Sequence, residues 1–231
     1  MHCAEIVLLF SEIIHNASIK ADMTTATELS EKTIERLCRV YGYLDALRHR
    51  GVQSVTSKEL AAAAGATHDT LRKDLSVVGV TGFTRAGYPV DSLKQTLGEK
   101  LNLTRTRTAA LVGLGRLGTA LLDYTRFSEN GFKITAAFDS SINKIERIRS
   151  CVDIFPVRRL KEIVGERGIE LGIIAVPGES AQQVTDDLVE AGVAGILNFS
   201  PVVVHTPAHI VHVDIDFTNA LRFIAARMVA K

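Results

Sequence analysis

Thr108-Ala-Ala-Leu-Val-Gly-Leu-Gly-Arg-Leu-Gly-Thr-Ala-Leu-Leu122 joins a short apolar strand to the spacing GxGxxG and then to a helix. In a dinucleotide site of this kind Gly113 permits the tight turn. Gly115 lets the backbone approach a pyrophosphate, and Gly118 lets the helix pack closely on the strand. The N–H groups of the loop Gly113, Leu114, Gly115, Arg116, Leu117 and Gly118 then face the phosphates at a helix N-terminus. Downstream, Ile134-Thr-Ala-Ala-Phe-Asp139 reads as a second strand ending in a carboxylate that can accept the ribose hydroxyls. No Arg or Lys follows Asp139 immediately, and a carboxylate repels a 2′-phosphate, so the expected ligand is NADH or NAD⁺ rather than its phosphorylated analogue.

From this motif to the C-terminus strand and helix patterns alternate. Strands are predicted over 108–112, 133–138, 170–176 and 194–198, and helices over 116–127, 157–166 and 179–191. This is the pattern of a Rossmann-like, doubly wound parallel sheet. Such a sheet binds ligands at the carboxyl ends of its strands. Val176 and Pro177 close one strand there and Asn198 closes another, which makes all three candidate cofactor contacts. His205, His209 and His212 lack metal-ligand spacing and read as surface or strand residues. Ile210-Val-His-Val-Asp-Ile-Asp-Phe217 reads as a last strand. Residues 218–231 then form a helix whose apolar stripe, Leu221, Ile224, Ala225 and Met228, has little chain left to pack against, so a partner subunit is its expected recipient.

Upstream, residues 1–30 show no clear pattern and read as an extension, expected to be disordered, or as a start-site shift ahead of Met23. From Ser30 an amphipathic helix places Ile34, Leu37, Tyr41, Leu44 and Leu47 on one face. A short helix follows, capped by Thr56 or Ser57 and stopped by Gly65, and then a second helix from Thr67 to Val78. The pair has the length and turn of a helix-turn-helix. In the second helix Leu71 and Leu75 face inward, while Arg72, Lys73 and Ser76 face outward and could reach base edges. Ser57, Lys58 and Thr67 lie at helix starts where phosphate is contacted. Gly79, Gly82 and Gly87 punctuate a wing-like hairpin carrying Arg85, ahead of Tyr88-Pro89. The expected organisation is an extension (1–30), a winged helix-turn-helix domain (31–90), a connecting helix and linker (91–107), a Rossmann domain (108–217) and a dimerisation helix (218–231).

The 231 residues are 46% hydrophobic, enough for two small cores, and the formal net charge of +1 exerts no global pull toward nucleic acid or membrane. Any DNA-binding surface must therefore be local. Cys3, Cys38 and Cys151 are isolated, which fits a reducing compartment such as the cytoplasm. The run Ile6-Val-Leu-Leu-Phe10 is too short to span a bilayer, so no membrane partner is expected.

The chain from about Ile34 to its end resembles the redox-sensing transcriptional repressor family called Rex. The resemblance is carried by Ser57-Lys-Glu-Leu-Ala61, Leu71-Arg-Lys-Asp-Leu-Ser76 with Gly79, Gly87-Tyr88, the loop Gly113–Gly118 with Ala120-Leu-Leu-Asp-Tyr124, Gly131-Phe-Lys-Ile134, Ala136-Ala-Phe-Asp139, Ile173-Ile-Ala-Val-Pro177 and Gly195-Ile-Leu-Asn-Phe-Ser-Pro201. It implies a homodimer with exchanged terminal helices that binds operator DNA when NADH is scarce and releases it when NADH accumulates. It further implies that Tyr88 and Asp216, or Asp214 if the match slips, couple the nicotinamide state to domain orientation. The chain departs from the family's pattern in three places. Val77-Val78 stand where Tyr-Phe is usual, Phe83 and Thr84 where the wing is basic, and Gly42 where an Arg usually pairs with the tail aspartate, which predicts a weak redox response. Two other readings compete: an NAD-dependent oxidoreductase with an accessory N-terminal domain, and a nucleotide-binding module without a switch. No His or Lys is convincingly placed for hydride-transfer chemistry.

Overall fold

The computed structural model describes residues 29–80 and 87–229. The chain divides into two compact units between Arg105 and Thr106.

In the N-terminal unit, helix α1 (Glu31–His49) starts where the Ser30 hydroxyl accepts the Thr33 N–H at 3.2 Å. It buries Leu37, Val40, Leu44 and Leu47, spaced three and four apart as one helical face requires. Tyr41, expected on that face, is only partly buried, and the Lys94 ammonium lies 5.3 Å from its ring centre. A Cβ on Gly42 would meet nothing within 4 Å, so α1 has open space at the position where the resemblance expects Arg.

Helix α2 (Ser57–Ala64) is capped by Thr56 and not Ser57. The Thr56 hydroxyl accepts from Glu59 N–H and the Glu59 carboxylate accepts from Thr56 N–H at 2.8 Å, a reciprocal capping box. Gly65, left-handed at φ +64, ends it. Helix α3 (His68–Val77) follows and buries Leu71, Leu75 and Asp74. Strand β1 (Ser54–Val55) pairs antiparallel with β2 (Tyr88–Pro89). Gly87, at φ +84, lets them close, since a Cβ there would stand 2.7 Å from the Val55 carbonyl. Helix α4 (Val90–Lys100) completes the unit. The wing tip with Gly82, Phe83, Thr84 and Arg85, and the extension up to residue 28, lie outside the described residues.

One ionic contact fixes α3 on α1. The Asp74 side chain, 8% exposed, accepts from Arg36 Nε at 2.6 Å, from Arg36 Nη2 at 2.9 Å and from the Thr33 hydroxyl at 3.2 Å. This bidentate geometry holds both orientation and distance.

The C-terminal unit is a six-stranded parallel sheet: β3 (Arg107–Val112), β4 (Phe132–Asp139), β5 (Asp153–Pro156), β6 (Leu171–Ile174), β7 (Gly195–Asn198) and β8 (Val211–Asp214). The spatial order β5-β4-β3-β6-β7-β8 reverses direction between β3 and β6, as in a Rossmann sheet. The helices are α5 (Arg116–Leu122), α6 (Arg126–Glu129), α7 (Ile142–Arg147), α8 (Leu160–Glu166), α9 (Gly178–Glu190) and α10 (Phe217–Val229). Ala110, Val112, Phe138, Ile174 and Leu188 belong to the core on one sheet face, and Ala109, Leu111 and Ala137 to the core on the other.

Two expectations are corrected here, and two elements were unforeseen. The helix predicted over 116–127 breaks at Asp123, where a turn bonds Tyr124 N–H to Leu121 O and Tyr124 packs edge-on against Phe127. Helix α7 and edge strand β5 were not predicted, being too short to show a period. The last strand stops at Asp214 rather than Phe217, because the Asp216 carboxylate turns to accept Thr218 N–H and Asn219 N–H at 2.8 and 3.0 Å and thereby caps α10.

Removing one partner of a mostly buried ion pair strands the other's charge. Arg36→Ala should therefore destabilise the N-terminal unit by about 2–4 kcal/mol, read as a lower urea midpoint. Arg36→Lys should recover only part of this, because an ammonium cannot make the paired contact.

Candidate functional site

The crossing of strand order opens a cleft of about 700 Å³ lined by Gly113, Gly115, Arg116, Leu117, Asp139, Val176 and Pro177 among others. That volume suits a nucleotide-sized ligand. Its wall is built by two forced glycines. A Cβ on Gly118 would stand 1.8 Å from Gly113 O, and one on Gly113, at φ +97, would stand 2.5 Å from Ala175 O. Gly115 differs: a Cβ there meets nothing within 4 Å, so that side of the loop faces open space where a diphosphate could approach the backbone.

Asp139 ties the loop to the end of β4. Its carboxylate, 4% exposed, accepts Leu114 N–H and Ser141 N–H at 2.8 Å each and the Lys144 ammonium at 3.1 Å. Burial pushes this carboxyl up, but the Ser141 and Leu114 N–H groups and Lys144 outweigh it and hold its pKa below the usual carboxylate range. Lys144 is a site residue that the sequence reading missed. No cation follows Asp139 directly in sequence, yet one turn of α7 brings this lysine back to it. Ser140 and the α9 face Glu179, Ser180, Gln183 and Asp187 also line the cleft and were missed, although spacings of three and four after Pro177 signal a single helix face. Arg116, Lys144 and Arg147 line a second, more open recess beside Leu114 and Gly115.

Asn198 does not line the cleft. It is fully buried, its amide N–H groups reach Val202 O and the Asp214 carboxylate at 2.8 Å each, and its oxygen accepts Ser200 N–H at 2.9 Å. These bonds pin the loop after β7 and leave its neighbour Phe199 at the cleft. Phe199 in turn stacks on Phe217, the first residue of α10, with ring centres 6.2 Å apart. Asp216 is thus one residue from a ring contact that leads to the cleft, and is not itself a lining residue. Tyr88 is 5% exposed within the N-terminal core, where burial raises its pKa.

On the outward side of α3, Arg72, Lys73 and Ser76 are exposed, as is Lys58 on α2. Two other expected DNA contacts are used within the fold. Thr67 caps α3 by accepting Thr70 N–H at 3.2 Å, and Ser57 Oγ lies 2.9 Å from His68 Nε2, joining the starts of α2 and α3. His212 bonds Thr206 at 2.8 Å, and no cluster of metal-ligating side chains occurs among the described residues. No described helix is long and apolar enough to cross a membrane.

Residues 104–202 match the family model of the CoA binding domain, and residues 28–76 that of a putative DNA-binding protein N-terminus. The redox-sensing transcriptional repressor Rex of Carboxydothermus hydrogenoformans is 39% identical over 85% of this chain and 95% of its own length. The chain belongs to the Rex family. The Rex protein of Pelotomaculum thermopropionicum is 34% identical over 89% of the chain and 97% of its own length. Two crystal structures of the Rex-family repressor RSP, each 30% identical, also cover 87% of this chain. One is its complex with β-NADH (TM-score 0.75, 94% of that chain), the other its complex with β-NAD⁺ and operator DNA (TM-score 0.78, 92%).

For this Rex-family chain the low carboxyl pKa of Asp139 has a signed consequence. A folded-state pKa below the unfolded one stabilises the fold above the unfolded value and ceases to do so as pH falls through the folded value. Asp139→Asn should cost about 1–3 kcal/mol at pH 7. The gap between wild type and variant in urea unfolding should narrow as the pH is lowered below about 4. A gap unchanged at acid pH would mean that the carboxylate's charge does not hold the loop.

Proposed function

We propose that this protein is a redox-sensing transcriptional repressor: it binds NADH and NAD⁺ in the cleft beside Gly115, binds operator DNA when NADH is low, and releases it when NADH is high. The observation that carries this reading is the presence in one chain of a Rossmann cleft and a separately cored helix-turn-helix, matched over 87% of the chain by a repressor crystallised with NADH and with NAD⁺ plus operator DNA. On this reading the N–H groups and Arg116 of the loop meet the pyrophosphate. Asp139 receives the adenosine ribose on the acceptor capacity it keeps, and Val176 and Pro177 border the nicotinamide half. Arg72, Lys73 and Ser76 read bases, while Lys58 and Arg85 contact phosphate, with Ser57 and Thr67 shaping the helix starts that carry those contacts.

We read the cleft as a sensor and not as a catalytic centre. Its described lining holds no His, Tyr or Cys, its lysine, Lys144, is paired with Asp139, and its further acid–base groups are the carboxylates Glu179 and Asp187, the latter paired with Lys161 at 2.9 Å. A hydride-transfer enzyme needs a positioned proton donor or acceptor beside the nicotinamide. The direct test is a gel shift on the DNA upstream of the chain's own gene. NAD⁺ should leave the complex intact and NADH should dissolve it, while Lys73→Ala should weaken the complex without changing NADH affinity. Turnover of a hydroxy or keto substrate together with no DNA shift would favour the oxidoreductase reading.

NADH should bind more tightly than NADPH, because Asp139 is a carboxylate although Lys144 offsets part of its charge. Fluorescence titration with both reduced cofactors checks this, and equal affinities would remove Asp139 as the discriminating group. Gly115→Val should abolish binding of both by filling the open space.

The protein is read as a homodimer joined through α10. Phe217, Leu221, Phe223, Ile224 and Met228 are between 54% and 73% exposed, an apolar surface that a folded chain does not leave to water. A chain ending at Asp216 should sediment as a monomer or aggregate. A stable dimer from that truncation would place the interface elsewhere.

A further inference from the structure

The outward half of the recognition helix carries a residue of the wrong sign for a polyanion. At about 100° per residue, the exposed positions His68, Asp69, Arg72, Lys73, Ser76 and Val77 cover about half of α3, and Asp69 and Ser76 fall at its middle. The Asp69 side chain is 91% exposed, and the one ion pair recorded for it among the described residues is with His68 Nδ1 at 3.7 Å. Buried Asp74, on the same helix, is spent on Arg36, whereas Asp69 is not committed to the fold. Its position is in the first turn, and the N-terminal part of a recognition helix is the part that meets base edges in the major groove.

We infer that Asp69 is a specificity-determining residue of the operator contact, accepting a hydrogen bond from the exocyclic amino group of a cytosine. The inference rests on the DNA-binding reading of α3. Phosphates repel a carboxylate, so Asp69 belongs over a base edge and not over the backbone. In the major groove guanine presents two acceptors and thymine one, all of which repel it. Adenine's N6 donor lies between two acceptors, its own N7 and the O4 of the paired thymine, whereas cytosine's N4 donor has an acceptor, the O6 of the paired guanine, on one side only. Arg72 and Lys73, three and four residues on, would hold flanking guanines or phosphates and keep the carboxylate against the groove floor.

Selection from duplexes with a randomised 20-base-pair core, using the full-length chain without NADH, tests this. Wild type should enrich sites with a cytosine at one position of each half-site, favoured about 5- to 10-fold over other bases. Asp69→Ala should lose that preference alone, and Asp69→Asn should move it to adenine, whose N6 and N7 an amide matches. Identical preferences for wild type and both variants, with affinity shifting uniformly across sequences, would overturn the proposal and leave Asp69 a helix-dipole charge. Enrichment of nothing by wild type would overturn the DNA-binding reading itself.

Discussion

The cleft exists because a helix touches a loop with no side chain between them. Gly118 on α5 faces Gly113 O at a distance no Cβ tolerates, and Gly113 in turn lies against Ala175 at the end of the neighbouring strand. These two contacts bring the α5 N-terminus and the ends of β3 and β6 together at the point where the strand order reverses. Asp139 then adds the third side, holding Leu114 N–H from the end of the neighbouring strand β4. The loop is therefore set by packing and by one buried carboxylate before any nucleotide arrives, which limits the ordering that binding would require.

The N-terminal unit solves a similar problem with an ion pair. Helix α3, the proposed recognition helix, exposes its charged face, so its attachment has to come from the opposite side. Leu71 and Leu75 supply apolar burial, which fixes depth but not rotation. The two-pronged Arg36–Asp74 contact fixes rotation as well. The α3 sequence thus divides its charges by role: Asp74 inward for attachment, Arg72, Lys73 and Asp69 outward. The His68–Ser57 bond ties the two helix starts together and keeps the turn between them from opening.

Legibility followed the range of the interaction. The GxGxxG loop, the Gly65 stop and the buried leucines were readable because their cause is local spacing or backbone conformation. Asp139 was readable as the end of a strand, but Lys144 was not, since its relevance depends on an unpredicted turn of α7. Asn198 was correctly placed at a strand end and misread in role: only the structure shows that Val202, Ser200 and Asp214 consume its amide. The stack of Phe199 on Phe217 joins residues far apart in sequence, and no pattern announces such a pair. It offers a physical route from the cleft to the α10 cap at Asp216, a position singled out by resemblance to Rex proteins and given a local reason by its capping bonds.

If NADH and operator DNA favour different states of the same dimer, their effects on one another are bound by linkage. Calorimetric titration of NADH into the free chain and into the chain saturated with operator duplex, paired with operator titrations with and without saturating NADH, measures both sides. The account predicts that DNA weakens NADH binding by the same factor that NADH weakens DNA binding. With Gly42 in place of the usual Arg, that factor should lie near the low end of the roughly 5- to 150-fold typical of allosteric pairs. Equal NADH affinity with and without bound operator would contradict redox sensing as the purpose of the cleft.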